Sequence, residues 1–195
     1  MPKDGGIGAS SKRREDIRFL TGEGNYTDDI NLHGQAYVFF LRSDIAHGTL
    51  NSVDTSAAEA MPGVVKIFTG ADFEAVGSIP CGWQVTDKHG EVMQEPRHPV
   101  LAHGKVRHVG EPIAAVVAES LSEARDAAEA IVLDITDLPA VVDMKEAVKA
   151  GAPKVHDDLT SNLCYDWGFV EENKGAVDQA FKDAAHVTTL ELVNN

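Results

Sequence analysis

The sequence has no long hydrophobic run, because none of its apolar stretches approaches the roughly 20 residues that a membrane-spanning helix needs. Its N-terminus also lacks the apolar core of a signal peptide. Cations are few, with 17 Lys and Arg against 31 Asp and Glu and a net charge of −14. This balance argues against a nucleic-acid partner, since phosphate binding needs clustered Lys and Arg. We therefore expect an acidic cytoplasmic protein without a transmembrane segment.

Cysteine is scarce too, and the two that occur, Cys81 and Cys164, form neither a CxxC motif nor a metal-ligand cluster. We expect reduced thiols, with one disulfide between them as the alternative. The sequence has no Gly-x-Ser-x-Gly elbow and no Ser-x-x-Lys motif, and neither cysteine stands in a His-bearing motif. These absences argue against an independent small enzyme such as a hydrolase.

The first half of the sequence contains a strand–helix–strand unit. Residues 36–42 are aromatic and β-branched and predict a buried strand, and residues 48–54 alternate in polarity as a second strand does. Ser56 and Glu59 have the spacing of a capping box and predict a short helix. A further strand is expected at residues 64–69.

A second and clearer unit follows at residues 112–136. Residues 112–119 form a near-continuous apolar run, which is typical of a strand covered on both faces. Ser120 and Glu123 predict a capping box, after which apolar residues recur at helical spacing. Residues 131–136 complete the unit as a strand. Because such crossovers are right-handed in nearly all proteins, two of them predict a small mixed sheet with helices packed on it, an α+β fold.

The remaining segments are less regular. Residues 74–97 predict a long loop, either a variable surface loop or a partner contact. A short helix is expected at residues 143–153, with Asp143 as its N-cap. Near the C-terminus, residues 177–185 have a helical pattern and residues 186–193 alternate like a strand. A lone strand buries little, so we expect this end to lead into a further domain, the chain being a fragment or part of a split subunit.

Three histidines and one glutamate are candidate site residues. His98, His103 and His108 recur every five residues, which matches neither a helix face nor alternate strand positions, so loop histidines are favoured over a metal site. Glu111 begins an apolar strand, where burial would raise its pKa as in a catalytic acid. The favoured alternative is a structural carboxylate bonded to backbone N–H groups or to an arginine, Arg107 or Arg42.

Two other patterns are weak. Asp28 and Asp29 lack the further spaced oxygen ligands of a calcium loop, so a turn after Tyr26 is expected. The glycines of residues 5–8 have no preceding strand and therefore do not predict a phosphate loop. From the residues alone, no catalytic, cofactor-binding or metal-ligating residue is assigned.

The amino-acid sequences of three segments resemble a known enzyme family. These are residues 13–30 (RREDIRFLTGEGNYTDDI), 39–72 and 98–143, including Val-Gly-Glu-Pro at residues 109–112. They resemble the N-terminal part of the large subunit of molybdenum hydroxylases, which include xanthine dehydrogenase, aldehyde oxidase and aerobic carbon monoxide dehydrogenase. The sequence is most similar to carbon-monoxide-dehydrogenase-type large chains, and the resemblance extends over about residues 6–195.

The resemblance implies an α/β-hammerhead domain at residues 13–150, after a flexible leader at residues 1–12. Residues 151–195 would be a connector and the start of a molybdenum-cofactor-binding domain. The family oxidises small substrates at a molybdenum–molybdopterin centre, with [2Fe–2S] clusters and FAD on partner subunits or domains. Its glycine-rich cofactor motifs lie later in the subunit, so no family site residue is carried over. The alternative is a stand-alone hammerhead module for assembly or interaction.

The resemblance gives the polar arm of residues 13–30 two possible roles. It is either a docking strip for the iron–sulfur and flavin parts, ordered by its partner, or an arm packed on its own domain.

Overall fold

The computed structural model describes residues 7–8, 10, 12–168 and 173–192. The predicted leader at residues 1–12 lies largely outside the described residues. The helices and strands, in chain order, are α1 (Asp16–Leu20), β1 (Tyr37–Arg42), β2 (Gly48–Asp54), α2 (Ser56–Glu59), β3 (Val64–Thr69), β4 (Lys105–Val106), β5 (Pro112–Ala118), α3 (Leu121–Glu129), β6 (Val132–Asp137), α4 (Met144–Ala147) and α5 (Lys174–Asp183). Two 3-10 helices lie at Thr27–Asp29 and Gly70–Val76.

The six described strands form two three-stranded sheets, in the orders β1–β5–β3 and β4–β2–β6. Both strand–helix–strand units connect one sheet to the other, because α2 joins β2 to β3 and α3 joins β5 to β6. The predicted α+β fold with strand–helix–strand units is confirmed. The expected mixed sheet is corrected, since every pair among the described strands is antiparallel. Each helix returns the chain to the other sheet, so the flanking strands never become parallel neighbours.

Strand β5 contributes to the core on both of its faces. Ala114, Val116 and Ala118 belong to a cluster beneath α3, whereas Ile113 points to the opposite side and packs with residues of the second sheet. Val116 lies opposite residues of both neighbouring strands and is fully buried. The two-sided burial explains why this strand is a near-continuous apolar run.

Helix α3 begins at the predicted N-cap, Ser120, but the predicted capping box forms only in part, since the Glu123 carboxylate bonds the Ser120 hydroxyl instead of the Ser120 backbone N–H. The Ser120 hydroxyl accepts a hydrogen bond from the backbone N–H of Glu123 at 3.2 Å, and it donates to the Glu123 carboxylate at 2.7 Å. Gly63 lies directly against that carboxylate with a φ of 75°, so a Cβ at Gly63 would lie 2.2 Å from the Glu123 carboxyl carbon. The left-handed backbone therefore favours glycine here, and any larger residue would also require the Glu123 carboxylate to move.

Three local predictions need correction. Helix α2 has Thr55, not Ser56, as its N-cap, because the Asp54 carboxylate takes the Ser56 N–H and hydroxyl. The helix predicted at residues 143–153 is confirmed at its Asp143 N-cap but ends at Ala147. The strand predicted at residues 186–193 is absent from residues 186–192, and Val193 lies outside the described residues. A strand needs a neighbour to complete its hydrogen bonds, and the described residues supply none there.

The cluster beneath α3 is built largely from alanines. Ala58 of α2 and Ala124, Ala127 and Ala128 of α3 are all essentially inaccessible to solvent. Small side chains allow α3 to approach β5, and α2 to approach α3 and β3, which leaves little volume for a larger residue.

We predict that Ala58→Leu lowers the free energy of unfolding by about 1–3 kcal/mol, because extra methylene groups must displace well-packed neighbours. Urea denaturation of the chain measures this change. Ala57→Leu is the matched control, since Ala57 is the exposed neighbour in the same helix, and its effect should stay within about 0.5 kcal/mol. Equal effects at the two positions would contradict a close-packed interface.

Candidate functional site

A concavity with a volume of about 470 Å³ lies beside the start of β5. Three parts of the chain form its walls: the excursion between β3 and β4, the loop before β5, and the segment after α4. Its size lies within the range of roughly 300–1,000 Å³ that is typical of small-molecule sites. The cavity is therefore large enough to hold a small-molecule ligand.

The excursion wall is irregular but folds back on itself. Isolated bridges join Ser78 to Pro99 and Thr86 to Val92, so the outgoing and returning segments run antiparallel. The tip is closed by Asp87, whose carboxylate accepts the backbone N–H of Glu91 at 2.9 Å and that of His89 at 2.7 Å. The hydrogen bond from Glu91, followed by that from His89, lowers the pKa of Asp87 against the effect of burial. The predicted loop is thus ordered by its own polar groups.

Glu111 lies at the start of β5 and is 4% exposed. Its Oε2 accepts the backbone N–H of Arg107 at 2.5 Å. Its other oxygen lies 4.0 Å from Nη1 of Arg107, and Nδ1 of His108 is 3.9 Å from Oε2. Arg107 and Arg42 are the two arginines that the sequence offers as partners of a structural Glu111 carboxylate. Arg107 is one, whereas Arg42 donates to the Gly110 carbonyl at 2.8 Å instead.

His156 faces the same cavity from the segment after α4. Burial and the positive charge of Arg107 lower the pKa of His156 below the ordinary value for histidine. The nearby carboxylates of Asp158 and Glu111 oppose this effect without cancelling it. The neutral imidazole is therefore favoured beside the guanidinium.

The three evenly spaced histidines are not brought together. His98 and His108 line the cavity, whereas His103 lies beside a separate depression between β2 and the 3-10 helix. Within the described part of the chain, no group of three or more His, Cys, Asp or Glu side chains is arranged to hold a metal ion.

Both cysteines are free and exposed, and both border the cavity. Cys164 is paired through its backbone with Gln94, whose N–H donates to the Cys164 carbonyl at 3.0 Å. The backbone N–H of Cys81 donates to the neighbouring Glu95 carboxylate at 2.8 Å. The sequence placed these cysteines far apart, and the structure brings them to one rim.

The remaining candidates are accounted for locally. Asp29 accepts the backbone N–H of Tyr26 at 2.8 Å, which confirms the predicted turn. Gly5 and Gly6 lie outside the described residues. Across the described residues, no helix has both the length and the hydropathy needed to cross a membrane.

Sequence reasoning missed the cavity itself and the role of His156 and Val155 in its walls. Arg107 and His156 are separated by 48 residues, and no sequence motif links them. One available signal was the apolar run of β5. The loop that leads into a buried strand must satisfy its polar groups with hydrogen bonds, so ordered polar residues were to be expected just before β5.

The family model described as "Aldehyde oxidase and xanthine dehydrogenase, a/b hammerhead domain" matches residues 21–139. The nicotine 6-hydroxylase large subunit of Paenarthrobacter nicotinovorans is 37% identical over 183 residues, which is 94% of this chain and 21% of that protein. The carbon monoxide dehydrogenase large chain of Afipia carboxidovorans is 37% identical over 158 residues, 81% of this chain and 18% of that protein. The chain thus spans about a fifth of the length of these relatives.

Solved structures agree. Quinoline 2-oxidoreductase from Pseudomonas putida 86 is 39% identical with a TM-score of 0.67, over 81% of this chain and 20% of that one. The Cu,Mo-CO dehydrogenase in its carbon-monoxide-reduced state is 33% identical with a TM-score of 0.67, over 93% and 23%. This chain therefore belongs to the aldehyde oxidase and xanthine dehydrogenase family and carries the α/β-hammerhead domain of molybdenum hydroxylase large chains.

Proposed function

We propose that this chain is the N-terminal structural and subunit-contact domain of a molybdenum-dependent hydroxylase or dehydrogenase large subunit that oxidises a small substrate. The hammerhead match over residues 21–139 carries this proposal. The relatives are about five times as long as the segment that matches this chain, which supports a role as one part of a larger enzyme. By itself the chain is non-catalytic, and none of its residues is a catalytic, cofactor-binding or metal-ligating group.

The cofactors then lie elsewhere in the enzyme. Molybdenum–molybdopterin would be bound by the rest of the large subunit, and [2Fe–2S] and FAD by partner subunits or domains. These groups would supply oxidation and electron transfer, whereas this chain supplies packing surface. Residues 13–150 form the hammerhead domain of this proposal, and residues 151–195 lead from it toward the cofactor-binding part.

Exposed apolar side chains at both ends support contact with further protein. None of the five described residues of α1 is buried, and Ile17 and Leu20 are 76% and 86% exposed. Near the C-terminus, Phe181, Leu190 and Leu192 are each more than half exposed. Apolar residues grouped in this way on a protein surface mark interaction sites.

The arm at residues 13–30 is already locally ordered. The rings of Phe19 and Tyr26 lie 5.4 Å apart, and the guanidinium of Arg18 lies 4.9 Å from the centre of the Phe19 ring. The arm is therefore partly ordered without a partner, and the absence of a buried residue in α1 is what supports the docking role over an arm packed on its own domain. Preformed structure lowers the entropy that a partner must remove on binding.

The first test uses the native enzyme, purified through this chain with its neighbouring gene products. We expect molybdenum, iron and flavin to co-purify with it. The double substitution Ile17→Asp and Leu20→Asp should reduce the bound iron and flavin by about tenfold or more, because charged groups cannot be buried in an apolar contact. Metal analysis and flavin absorbance measure the loss.

Val142→Asp is the control, because Val142 is 89% exposed but lies outside both terminal segments. It should retain the full complement of iron and flavin. A native preparation free of molybdenum, iron and flavin would contradict the proposal and favour a stand-alone interaction module. Retention of iron and flavin by the double variant would contradict the docking role of the arm.

A second test addresses Glu111. We predict that Glu111→Gln lowers the free energy of unfolding by about 1–3 kcal/mol, because it removes the charge from a buried acceptor. Glu119→Gln, at the exposed opposite end of β5, should have an effect within about 0.5 kcal/mol. Thermal or urea denaturation measures both. Unchanged stability with a large loss of turnover in the assembled enzyme would instead make Glu111 a catalytic residue.

A further inference from the structure

The Arg107 guanidinium has donors that the described residues do not use. Its Nε is buried and has no hydrogen-bond partner there. Its Nη1 has one hydrogen bond to the Lys105 carbonyl at 3.4 Å and a distant ion pair with Glu111 at 4.0 Å. A guanidinium carries five N–H donors, and buried donors are normally paired. This arginine therefore offers hydrogen-bonding capacity at the wall of the 470 Å³ cavity.

The carboxylates around the cavity are, in contrast, already supplied with donors. Glu95 accepts the backbone N–H of Cys81 and the side-chain amide of Gln84, and these hydrogen bonds lower the pKa of Glu95. Glu111 accepts the backbone N–H of Arg107. Each carboxylate thus has at least one donor from the protein, whereas the Arg107 guanidinium has only one weak hydrogen bond, to the Lys105 carbonyl, and a distant ion pair with Glu111.

Much of the remaining wall is apolar. Ile79 and Met93 come from the excursion, Pro96 from its returning segment, and Val155 from the segment after α4. Such a surface favours a ligand with an apolar body, because burying that body removes it from water. Polar groups placed at one end of an apolar pocket fix the orientation of the ligand.

We propose that this cavity binds a small organic carboxylate, with Arg107 holding the carboxylate and the apolar walls at Ile79, Met93 and Val155 enclosing its body. Arginine matches a carboxylate because its planar fork donates two parallel hydrogen bonds. The Arg107 side chain is 23% exposed, so its terminal nitrogens can reach a ligand in the cavity, whereas its buried Nε stays within the protein. The proposal rests on the residues of this cavity and not on the proposed function.

Benzoate is the probe, titrated into the 195-residue chain and followed by NMR chemical shifts or calorimetry. We expect saturable binding that weakens by about tenfold or more in Arg107→Gln, since hydrogen bonds to a charged group are lost. Arg18→Gln is the matched control, because Arg18 lies on the exposed helix α1. Its affinity for benzoate should equal that of the unaltered chain.

Two further probes separate the parts of the site. Benzyl alcohol keeps the ring without the charge and acetate keeps the charge without the ring, so each should bind at least about tenfold more weakly than benzoate. If Arg107→Gln fails to fold by circular dichroism, Val155→Phe replaces it. That variant leaves Arg107 in place, narrows the cavity and should also weaken benzoate binding.

Either of two results overturns the proposal. The first is the absence of saturable benzoate binding to the folded, unaltered chain. The second is binding that persists unchanged in Arg107→Gln, or in Val155→Phe where that variant replaces it. Equal affinity for benzyl alcohol and benzoate would likewise overturn the role of Arg107 as a carboxylate anchor.

Discussion

The two-sided burial of strand β5 is the constraint on which the structure depends. One face of β5 packs beneath α3 through Ala114, Val116 and Ala118, and the other places Ile113 among the residues of the second sheet. Val53 and Leu133 of the second sheet contact both clusters. A strand with water on one side would serve only one core, so this single apolar strand holds the two antiparallel sheets together.

The start of β5 also determines the cavity. To enter the core, the chain must pair or bury the polar groups of the preceding loop, and Glu111 does so by accepting the Arg107 N–H. That hydrogen bond fixes the backbone of Arg107, and it places the guanidinium against the cavity instead of in solvent. Core packing and a cationic pocket wall therefore have one cause. The same carboxylate that suggested acid catalysis in the sequence is the group that holds this loop in place.

The ends of the chain contrast with this centre. The core residues are small and fully buried, whereas α1 and α5 contribute no buried residue among those described. Their apolar side chains remain exposed. Under the proposed function, these side chains would become buried when the rest of the large subunit or a partner packs against them.

The sequence by itself determined the strands at residues 48–54 and 64–69, the Ser120 N-cap and the family, because each depends on neighbouring residues or on local sequence similarity. It also predicted the burial of β5 from one apolar run. It did not determine that α2 and α3 each connect one sheet to the other, because strand pairing is a contact between distant segments. Only the tertiary structure decided that Arg107, His156 and Cys164 meet at one cavity, since packing, and not spacing along the chain, brings those side chains together.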